Sequence, residues 1–559
     1  MNQSKPSTAR AAQRVVETLN AAGVQFVFGI PGAKVDAIFD ALDDGGPQLI
    51  ICRHEQNAAF MAAAVGRLTG IPGVVLVTSG PGTTNIATGL LTANTEQDPV
   101  VALAGAVQLS DRLKRTHQSM DAAAFLRTVT KSAVESTHPD DVSEAVANAF
   151  RAASTEPKGA AAVVLSASVL ASETSALLRE FSMPPAPGTA REIDITVTSE
   201  LIRSARNPVL LVGLRGAEIN ATDALRALIR DTSLPVVETF QAAGLVSREL
   251  EHHYLGRVGL FRNQPADKAL DESDLIIAVG YDAVEYDPIL WNADTGRHIV
   301  HIDSVPVALD NNYQPTLELG GDIPSTIDAL REALQGYTVP ALAATRAQQL
   351  HHELAQIDDL ARHADAAPGS VDPARLVLLM RDVLSDDATI ACDIGSNYIF
   401  MARHFRVYHP RHLLFSNGQQ TLGVALPWAM AAALVRPGTQ IVSVSGDGGF
   451  LFSATELETA TRLGLSLTHI IMRDNSYNMV AFQEQAKYGR TSGVQLGDYD
   501  IVSFANAFGA HGRRVSTLDE FEVALRRSID EEGVSIIDIT VDYSKNADLL
   551  AQLHEDALE

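Results

Sequence analysis

The sequence predicts an α/β protein made of three doubly wound domains, each with a parallel sheet covered by helices on both faces. Two observations carry this prediction. Short apolar, β-branched runs, typical of strands that are buried on both faces, alternate along the chain with segments of helical spacing. The 559 residues also exceed what one hydrophobic core holds, so three domains of ordinary size are expected.

The composition indicates a well-packed globular enzyme and excludes several other classes of protein. A hydrophobic fraction of 46% and a charged fraction of 20% argue against disorder. A formal net charge of −25 argues against nucleic acid or a membrane surface as a partner. The two cysteines, Cys52 and Cys392, lie in apolar runs and predict neither disulfides nor a thiolate metal site. Because disulfides are not expected, we expect a reducing, cytoplasmic location. The N-terminus also lacks a signal-peptide core, and no apolar stretch of about twenty residues occurs.

The first predicted domain spans residues 1–185 and opens with an amphipathic helix that ends at Gly23. A later helix of small residues, Ala58–Gly66, predicts very close packing against a neighbouring element. The Pro-rich stretch Ser182–Gly188 is typical of a connector to a second domain. The predicted strands are Val24–Phe28, Gln48–Arg53, Gly73–Ser79, Pro99–Gly105 and Ala161–Leu165.

The second predicted domain spans residues 190–345. Gly213–Gly216, after its first strand, is only a fragment of a dinucleotide fingerprint. Asp303 follows the fourth strand, where a ribose ligand would be expected, but the complete Gly-x-Gly-x-x-Gly is missing. The predicted strands are Pro208–Val212, Leu234–Val237, Asp274–Val279 and His298–Ile302.

The third predicted domain spans residues 370–559 and follows a helical segment within 341–370 that crosses to it. It opens with a helix near Pro373–Leu384 and a strand at Ala388–Cys392. Its two further predicted strands begin at Ile441 and Leu467, and each ends in an acidic turn. These two turns carry the strongest functional pattern in the chain.

The first of these turns is Gly446–Gly449, which contains Asp447 and precedes a helical segment. Glycines at the carboxyl end of a parallel strand let backbone N–H groups approach a phosphate. A carboxylate would repel that phosphate, so Asp447 implies a cation between them. Asp474 ends the next strand 27 residues later, about one β–α–β step, and two such carboxylates with phosphate oxygens suit Mg²⁺. The alternative is that Asp447 caps a helix and Asp474 makes a turn.

Gly-Asp-Gly followed some two dozen residues later by Asp-Asn resembles the diphosphate-anchoring motif of the thiamine-diphosphate (ThDP) enzymes. The resemblance implies that Asp447, Asp474 and the carbonyl oxygen of Ser476 hold Mg²⁺. Leu422 falls where the family places an apolar wedge that bends the cofactor into a V; without a cofactor it would be a core residue. The cofactor-binding residues implied in this domain are Gly395, Ser396, Gln420, Leu422, Gly446, Asp447, Gly448, Gly449, Asp474, Ser476, Tyr477, Asn478 and Met479.

In the first domain the resemblance assigns a catalytic role to Glu55, within Arg53-His-Glu. A lone Glu at a strand-to-helix junction is otherwise an ordinary helix N-terminal residue. In the family this glutamate hydrogen-bonds the aminopyrimidine ring of the cofactor and promotes its imino tautomer. Pro81 and Asn85 belong to a Gly-rich loop that faces the same ring, and Gln118 matches a loop on the substrate side of the thiazolium ring. The alternative for Gln118 is an ordinary surface residue.

Several longer segments resemble the catabolic, FAD-independent acetolactate synthases of this family, among them Gly29-Ile-Pro-Gly-Ala-Lys and Gln419-Gln-Thr-Leu-Gly-Val-Ala-Leu-Pro-Trp. The resemblance covers nearly the whole chain. It implies pyrimidine-binding, middle Rossmann-like and diphosphate-binding domains, in that order, with no flavin. The implied reaction decarboxylates one pyruvate and joins the hydroxyethyl carbanion to a second pyruvate, which gives 2-acetolactate and CO₂.

The resemblance also implies a homodimer or homotetramer with active sites at subunit interfaces. Gln483 matches a position where FAD-binding relatives place a Trp that favours a larger acceptor; the alternative is a solvent-facing Gln. Asn397, Arg127-Thr128 and Ser166-Ala-Ser168 depart from the family pattern. A related carboligase, a simple 2-oxo-acid decarboxylase and a catalytically silent scaffold are therefore the competing interpretations.

Overall fold

The structure is a computed structural model that describes residues 8–179, 182–293, 296–546 and 549. Contacts divide the chain into two compact units. The first unit contains the chain up to Pro185 together with Leu426–Gly438 and Ser453–Leu465, and the remainder of the chain forms the second unit. The predicted domain bounds at residues 1 and 559 lie outside the described residues, and the three predicted domain ranges stay predictions.

The N-terminal region contains a six-stranded parallel sheet with strand order β3-β2-β4-β5-β7-β6. Strands β1 and β8 form a separate antiparallel pair. The strands are β1 Ala9–Arg10, β2 Phe26–Gly29, β3 Gln48–Ile51, β4 Gly73–Val77, β5 Val100–Ala106, β6 Ser132–Ser136, β7 Ala160–Ser166 and β8 Glu173–Thr174. The helices are α1 Ala11–Ala21, α2 Asp36–Asp43, α3 Glu55–Thr69, α4 Pro81–Asn85, α5 Ala87–Thr95, α6 Ala122–Leu126, α7 Val142–Ser154 and α8 Ala167–Ala171.

The middle region repeats this layout with a parallel sheet of order β11-β10-β9-β12-β13-β14. The strands are β9 Pro208–Val212, β10 Val236–Thr239, β11 Tyr254–Val258, β12 Leu275–Val279, β13 His298–Asp303 and β14 Leu317–Gly320. The helices are α9 Glu192–Ser204, α10 Ile219–Thr232, α11 Pro265–Glu272, α12 Pro288–Trp291, α13 Ile323–Ala333 and the long α14 Ala341–Arg362.

The C-terminal region contains a third parallel sheet, of order β16-β15-β17-β18-β20-β19. The strands are β15 Thr389–Cys392, β16 Leu413–Leu414, β17 Ile441–Gly446, β18 Leu467–Arg473, β19 His511–Val515 and β20 Val534–Thr540. The helices are α15 Pro373–Val383, α16 Ser396–His404, α17 Ala425–Val435, α18 Asp447–Phe450, α19 Leu457–Arg462, α20 Asn478–Tyr488, α21 Ile501–Ala507 and α22 Leu518–Asp530.

These three sheets confirm the predicted fold class. The predicted strands are present with ends shifted by no more than a few residues, as expected where helix and strand termini fray. The strands that were not predicted are β1, β6, β8, β11, β14, β16, β19 and β20. Strands β6, β11, β14, β16 and β19 are edge strands of the six-stranded sheets. Strands β6 and β19 carry the mixed polar sequences Ser-Ala-Val-Glu-Ser and His-Gly-Arg-Arg-Val, which lack an apolar strand signal.

The predicted close packing of the small-residue helix is confirmed for α3. A methyl group on Gly73 of β4 would lie 1.9 Å from the carbonyl oxygen of Ala62, and one on Gly66 would lie 2.2 Å from that of Pro99. A methyl group on Gly89 of α5 would lie 2.4 Å from the Cβ atom of Ala59. Helix α3 therefore lies against its neighbours at backbone distance, which fixes the position of its N-terminal residue, Glu55.

A buried ion pair ties helix α17 to the N-terminal region within the first unit. The Arg67 guanidinium donates to Asp98 at 2.7 Å, and its centre lies 4.6 Å from the ring of Trp428 in α17. Glu96 lies 3.7 Å from the same guanidinium. A stacked guanidinium can pair with carboxylates in its plane and with an aromatic ring on its face.

In the described part of the chain, no helix is both long and apolar enough to cross a bilayer.

Candidate cofactor site and active site

The second unit contains a cavity of about 240 Å³ at the carboxyl ends of β15, β17 and β18. This is the edge of a parallel α/β sheet where ligands bind. The residues that line the cavity include Ile394, Asn397, Met472, Val480 and Tyr543, which were not among the predicted site residues. The predicted residues on its wall are Gly395, Ser396, Gln420, Leu422, Gly446, Gly448, Gly449, Asp474, Ser476, Tyr477, Asn478, Met479 and Gln483.

Two glycines of the turn at the end of β17, Gly448 and Gly449, have no room for a side chain. A methyl group on Gly448 would lie 2.7 Å from the Tyr477 ring, and one on Gly449 would lie 2.8 Å from a carboxylate oxygen of Asp393. The backbone of this turn therefore borders the cavity directly. Glycine turns at the carboxyl end of a parallel strand suit an anionic ligand such as a diphosphate.

Asp447 and Asp474 bring two carboxylates to neighbouring strand ends. Asp447 accepts a hydrogen bond from the Asn475 N–H at 2.8 Å, and Asp474 accepts one from the Asn478 amide at 2.7 Å. Burial raises the pKa of Asp447, and burial together with the Asp447 charge raises the pKa of Asp474 to about 7. Each carboxylate thus keeps lone pairs for a further ligand, at a place where a second negative charge is unfavourable without a cation.

This arrangement fits Mg²⁺. Among the described residues no group of three or more His, Cys, Asp or Glu side chains is placed to hold a metal ion. A metal at this turn would therefore depend on two carboxylates, a backbone oxygen such as that of Ser476, and oxygens of the ligand itself. Such a mixed set of hard oxygen donors is what Mg²⁺ prefers.

The turn that carries Asp474 is held by a later segment of the chain. Asn475 has a left-handed backbone, with a φ of 59°, which Asn tolerates better than most residues. The Tyr477 N–H donates to the Val494 carbonyl, and the Leu496 N–H donates to the Asn475 carbonyl, both at 2.9 Å. Tyr499 adds a hydrogen bond from its hydroxyl to the carbonyl oxygen of Asp447 at 3.2 Å.

A polar network joins three segments on one wall of the cavity. The Ser396 hydroxyl donates to the Asn478 side chain at 2.8 Å, and the Asn546 amide donates to both residues, at 3.0 Å and 2.9 Å. Asn478 in turn binds Asp474. Asn546 was missed by the sequence analysis, because an isolated Asn beyond the last strand gives no pattern that marks it.

Asp393 is a second residue that the sequence analysis did not single out. Its buried carboxylate accepts the N–H groups of Ile394 and Gly423, each at 2.9 Å, and burial raises its pKa to about 7. Gly423 has a φ of 84°, a conformation that favours glycine. The carboxylate therefore fixes the loop in which Leu422 borders the cavity.

Gln483 lies on the cavity wall in helix α20, which begins one residue after Tyr477. Its neighbour Phe482 is buried and lies 6.2 Å from the Phe261 ring, centroid to centroid. That contact fixes the rotation of the helix, so that Gln483, Met479 and Val480 share the cavity side.

The first unit contains the other predicted residues: Glu55, Pro81, Asn85 and Gln118. Glu55 is the first residue of α3, and its carboxylate accepts a hydrogen bond from the Asn85 amide at 2.9 Å. Pro81 is the first residue of the short helix α4, which ends at Asn85. The structure therefore brings Glu55 and Asn85 into direct contact.

Gln118 is exposed and lies against the same loop. A methyl group on Gly80 would lie 3.1 Å from the Gln118 Cβ atom. Gln118 itself has a φ of 61°, which is uncommon for a residue with a side chain. Gln97 and Ser233 share this conformation, so it does not by itself distinguish a functional Gln118 from an ordinary surface residue.

The comparisons with known proteins bear on the whole chain. Residues 9–125, 195–330 and 393–539 match the N-terminal, central and C-terminal domain models of the thiamine pyrophosphate (ThDP) enzymes, the two outer ones described as binding this cofactor. The chain is 51% identical over 542 residues to acetolactate synthase of Bacillus subtilis, which covers 97% of this chain and 94% of that protein. It is 45% identical to the catabolic acetolactate synthase of Raoultella terrigena, over 98% and 97% of the two chains.

The chain belongs to the thiamine pyrophosphate enzyme family. Within that family its place is with the acetolactate synthases, since both of these relatives bear that name and the large subunit of acetolactate synthase isozyme 2 of Escherichia coli is 30% identical over 96% of each chain. The predicted family is thereby confirmed. The roles of the individual site residues stay predictions.

The raised pKa of Asp474 predicts how binding of Mg²⁺ and ThDP depends on pH. A carboxylate must lose its proton before it binds a metal, so affinity should fall as the pH drops below about 7, approaching about tenfold per unit. Isothermal titration measures this dependence over a range of about pH 5.5 to pH 8, which brackets that pKa. In Asp474→Asn the affinity should be weaker and its pH dependence shallower, because only Asp447 and the cofactor phosphate still titrate. If the affinity of the wild type and of Asp474→Asn changed equally with pH, Asp474 would not be a metal ligand.

Proposed function

We propose that this chain is an acetolactate synthase that decarboxylates one pyruvate and joins its two-carbon fragment to a second pyruvate, with ThDP and Mg²⁺ as cofactors. The observation that carries the proposal is the identity of 51% with an acetolactate synthase over nearly the full length of both chains. The cavity beside Asp447 and Asp474 and the contact between Glu55 and Asn85 support it.

The residues divide the work between anchoring and proton transfer. Asp447, Asp474 and the Ser476 carbonyl oxygen hold Mg²⁺, and the Gly448 turn offers N–H groups to the diphosphate. When bound, ThDP supplies a nucleophilic carbon and a sink for the electrons released by decarboxylation. Glu55 holds a proton at the aminopyrimidine ring nitrogen, and Asn85 keeps the Glu55 carboxylate in place.

We also propose a homodimer or homotetramer in which Glu55 of one subunit serves the cofactor held by Asp447 of another. The division of the site residues between the first and the last region of the chain supports this arrangement. A cytoplasmic location and a place in acetoin formation, with domains at 1–185, 190–345 and 370–559, complete the proposal. The net charge of −25 and the absence of a membrane-crossing helix among the described residues agree with a small-molecule enzyme.

The direct test is product identification after incubation with pyruvate, ThDP and Mg²⁺. We expect 2-acetolactate and CO₂ from the wild-type chain, and a loss of turnover of on the order of 100-fold or more in Glu55→Gln, because an amide cannot exchange the proton that a carboxyl group exchanges. Binding of Mg²⁺ and ThDP should be largely retained in this variant. Free acetaldehyde as the main product would indicate a decarboxylase, another ligation product a related carboligase, and no product a silent scaffold.

We propose further that the middle region binds no flavin. A dinucleotide in such a sheet would occupy the carboxyl ends of the strands, where the strand order reverses between β9 and β12. Here the Glu285 carboxylate fills that place: it accepts the Leu214 N–H at 3.0 Å and the Thr239 hydroxyl at 2.7 Å. A methyl group on Gly213 would lie 2.4 Å from Glu285, so the carboxylate lies directly against this turn. Burial raises the pKa of Glu285 to about 7.

The purified enzyme should therefore be colourless and need no added FAD. Its absorbance spectrum should lack the flavin band at about 450 nm. A yellow protein that releases FAD on denaturation would overturn this proposal without affecting the assignment of ThDP.

The wall position of Gln483 supports a proposal about acceptor choice. A polar Gln offers no flat apolar surface, so the enzyme should show little preference for 2-oxobutyrate over pyruvate as the acceptor. One methylene group packed on an apolar face contributes about 1 kcal/mol, or roughly fivefold in selectivity.

Gln483→Trp should shift the product towards 2-aceto-2-hydroxybutyrate by about five- to tenfold when both acceptors compete, because the indole adds the missing apolar face. Product ratios by mass spectrometry measure this shift. Glu484→Gln, one position along the same helix, is a matched control that should leave the ratio unchanged. An active Gln483→Trp variant with the wild-type ratio would show that Gln483 does not contact the acceptor.

A further inference from the structure

Glu456 is a fully buried carboxylate that the proposed chemistry does not use. It follows Asp447 by nine residues in sequence and lies in the short 3₁₀ helix Ala454–Glu456 just before α19. Its relative exposure is 0%, and it belongs to the first unit, with the N-terminal region. A buried carboxylate is costly unless several donors satisfy it, so its partners indicate what it does.

Those partners are concentrated around Glu55. One oxygen of Glu456 accepts the N–H groups of Arg53 and His54, each at 3.0 Å, and the side-chain amide of Asn57 at 3.2 Å. The other oxygen accepts the Thr459 hydroxyl at 2.7 Å and a weaker contact from Arg53 at 3.2 Å. All of these residues lie within the first unit.

The donors stand on both sides of Glu55 in the chain. Arg53 and His54 immediately precede it, and Asn57 follows it within the first turn of α3. The Glu456 carboxylate therefore binds the strand-to-helix turn both before and after Glu55. It also satisfies two backbone N–H groups that would otherwise be left without a partner next to a helix N-terminus.

The neighbouring Glu458 shows that this contact is specific to Glu456. Glu458 lies two residues along the chain, is partly exposed, and pairs with Arg462 one helical turn later. It therefore provides a matched control: the same residue type on the same segment, without hydrogen bonds to the Glu55 turn.

We propose that Glu456 is the positioning residue for Glu55: its carboxylate holds the turn so that the Glu55 carboxylate meets the aminopyrimidine ring at the distance that proton transfer needs. This inference rests on the proposed role of Glu55. Glu456 is close in sequence to the proposed metal ligand Asp447, but the function inferred for it is to support proton transfer by Glu55. Glu456 acts through backbone hydrogen bonds and touches no reacting atom.

The test measures hydrogen–deuterium exchange at the thiazolium C2 atom of bound ThDP, by quenched-flow NMR, in the full-length enzyme. Glu456→Ala should slow exchange about tenfold or more, since a misplacement of about 1 Å can cost 100-fold. Glu456→Gln should stay within about threefold of the wild type, because its amide oxygen can still accept the Arg53 and His54 N–H groups. Glu458→Gln should exchange at the wild-type rate.

Two further measurements separate positioning from a loss of stability. The dissociation constant of Mg²⁺ and ThDP, by isothermal titration, should change little in Glu456→Ala, and exchange is measured well below the melting temperature of the apoenzyme. If Glu456→Ala does not fold, Glu456→Asp keeps the charge but withdraws the oxygens by one carbon–carbon bond, and it should slow exchange in the same way. Fast exchange in the folded alanine or aspartate variant would overturn the proposal.

A double variant tests whether Glu456 works through Glu55. In the Glu55→Gln background, adding Glu456→Ala should cause no further loss of exchange, because the carboxylate being positioned is already absent. An additional tenfold loss would overturn the inference. Exchange at the wild-type rate in Glu55→Gln alone would instead refute the proposed role of Glu55, so the two failures are distinguishable.

Discussion

Parallel sheets leave backbone N–H groups without strand partners just beyond the carboxyl ends of their strands, and satisfying these groups is the constraint on which this structure depends. One buried carboxylate meets it in each region of the chain. Glu456 binds the turn before α3, Glu285 binds the turn after β9, and Asp393 binds the loop beside Leu422. Burial raises the pKa of all three, and several donors on each offset the cost of desolvation.

The number of donors separates Glu456 from two of the carboxylates with proposed chemical roles, Asp474 and Glu55. Glu456 receives hydrogen bonds from four residues and has little capacity for a further ligand. Asp474 receives one side-chain hydrogen bond, from Asn478, and Glu55 receives one from Asn85. Oxygens that keep free lone pairs can bind a metal ion or exchange a proton, whereas saturated ones can only hold their neighbours in place.

Much of the site could be predicted because its residues follow strands with strong signals. The apolar runs of β17 and β18 locate two strand ends. The glycines and acidic residues that follow them are typical of the sheet edge where ligands bind. The edge strands β6 and β19 escaped prediction because they are half-exposed and polar. They form strands because they pair with β7 and β20, and their own sequences show no strand preference.

The sequence by itself determined the three-sheet fold class, the Asp447 and Asp474 pair, and the position of Glu55 at a helix start. Local signals suffice for these, since periodicity and turn residues act over a few positions. Only the tertiary structure decided that Glu456 holds a turn 403 residues away and that Asn546 binds Ser396. A single buried polar residue shows no period, and whether its burial is tolerated depends on donors that folding brings to it from distant parts of the chain.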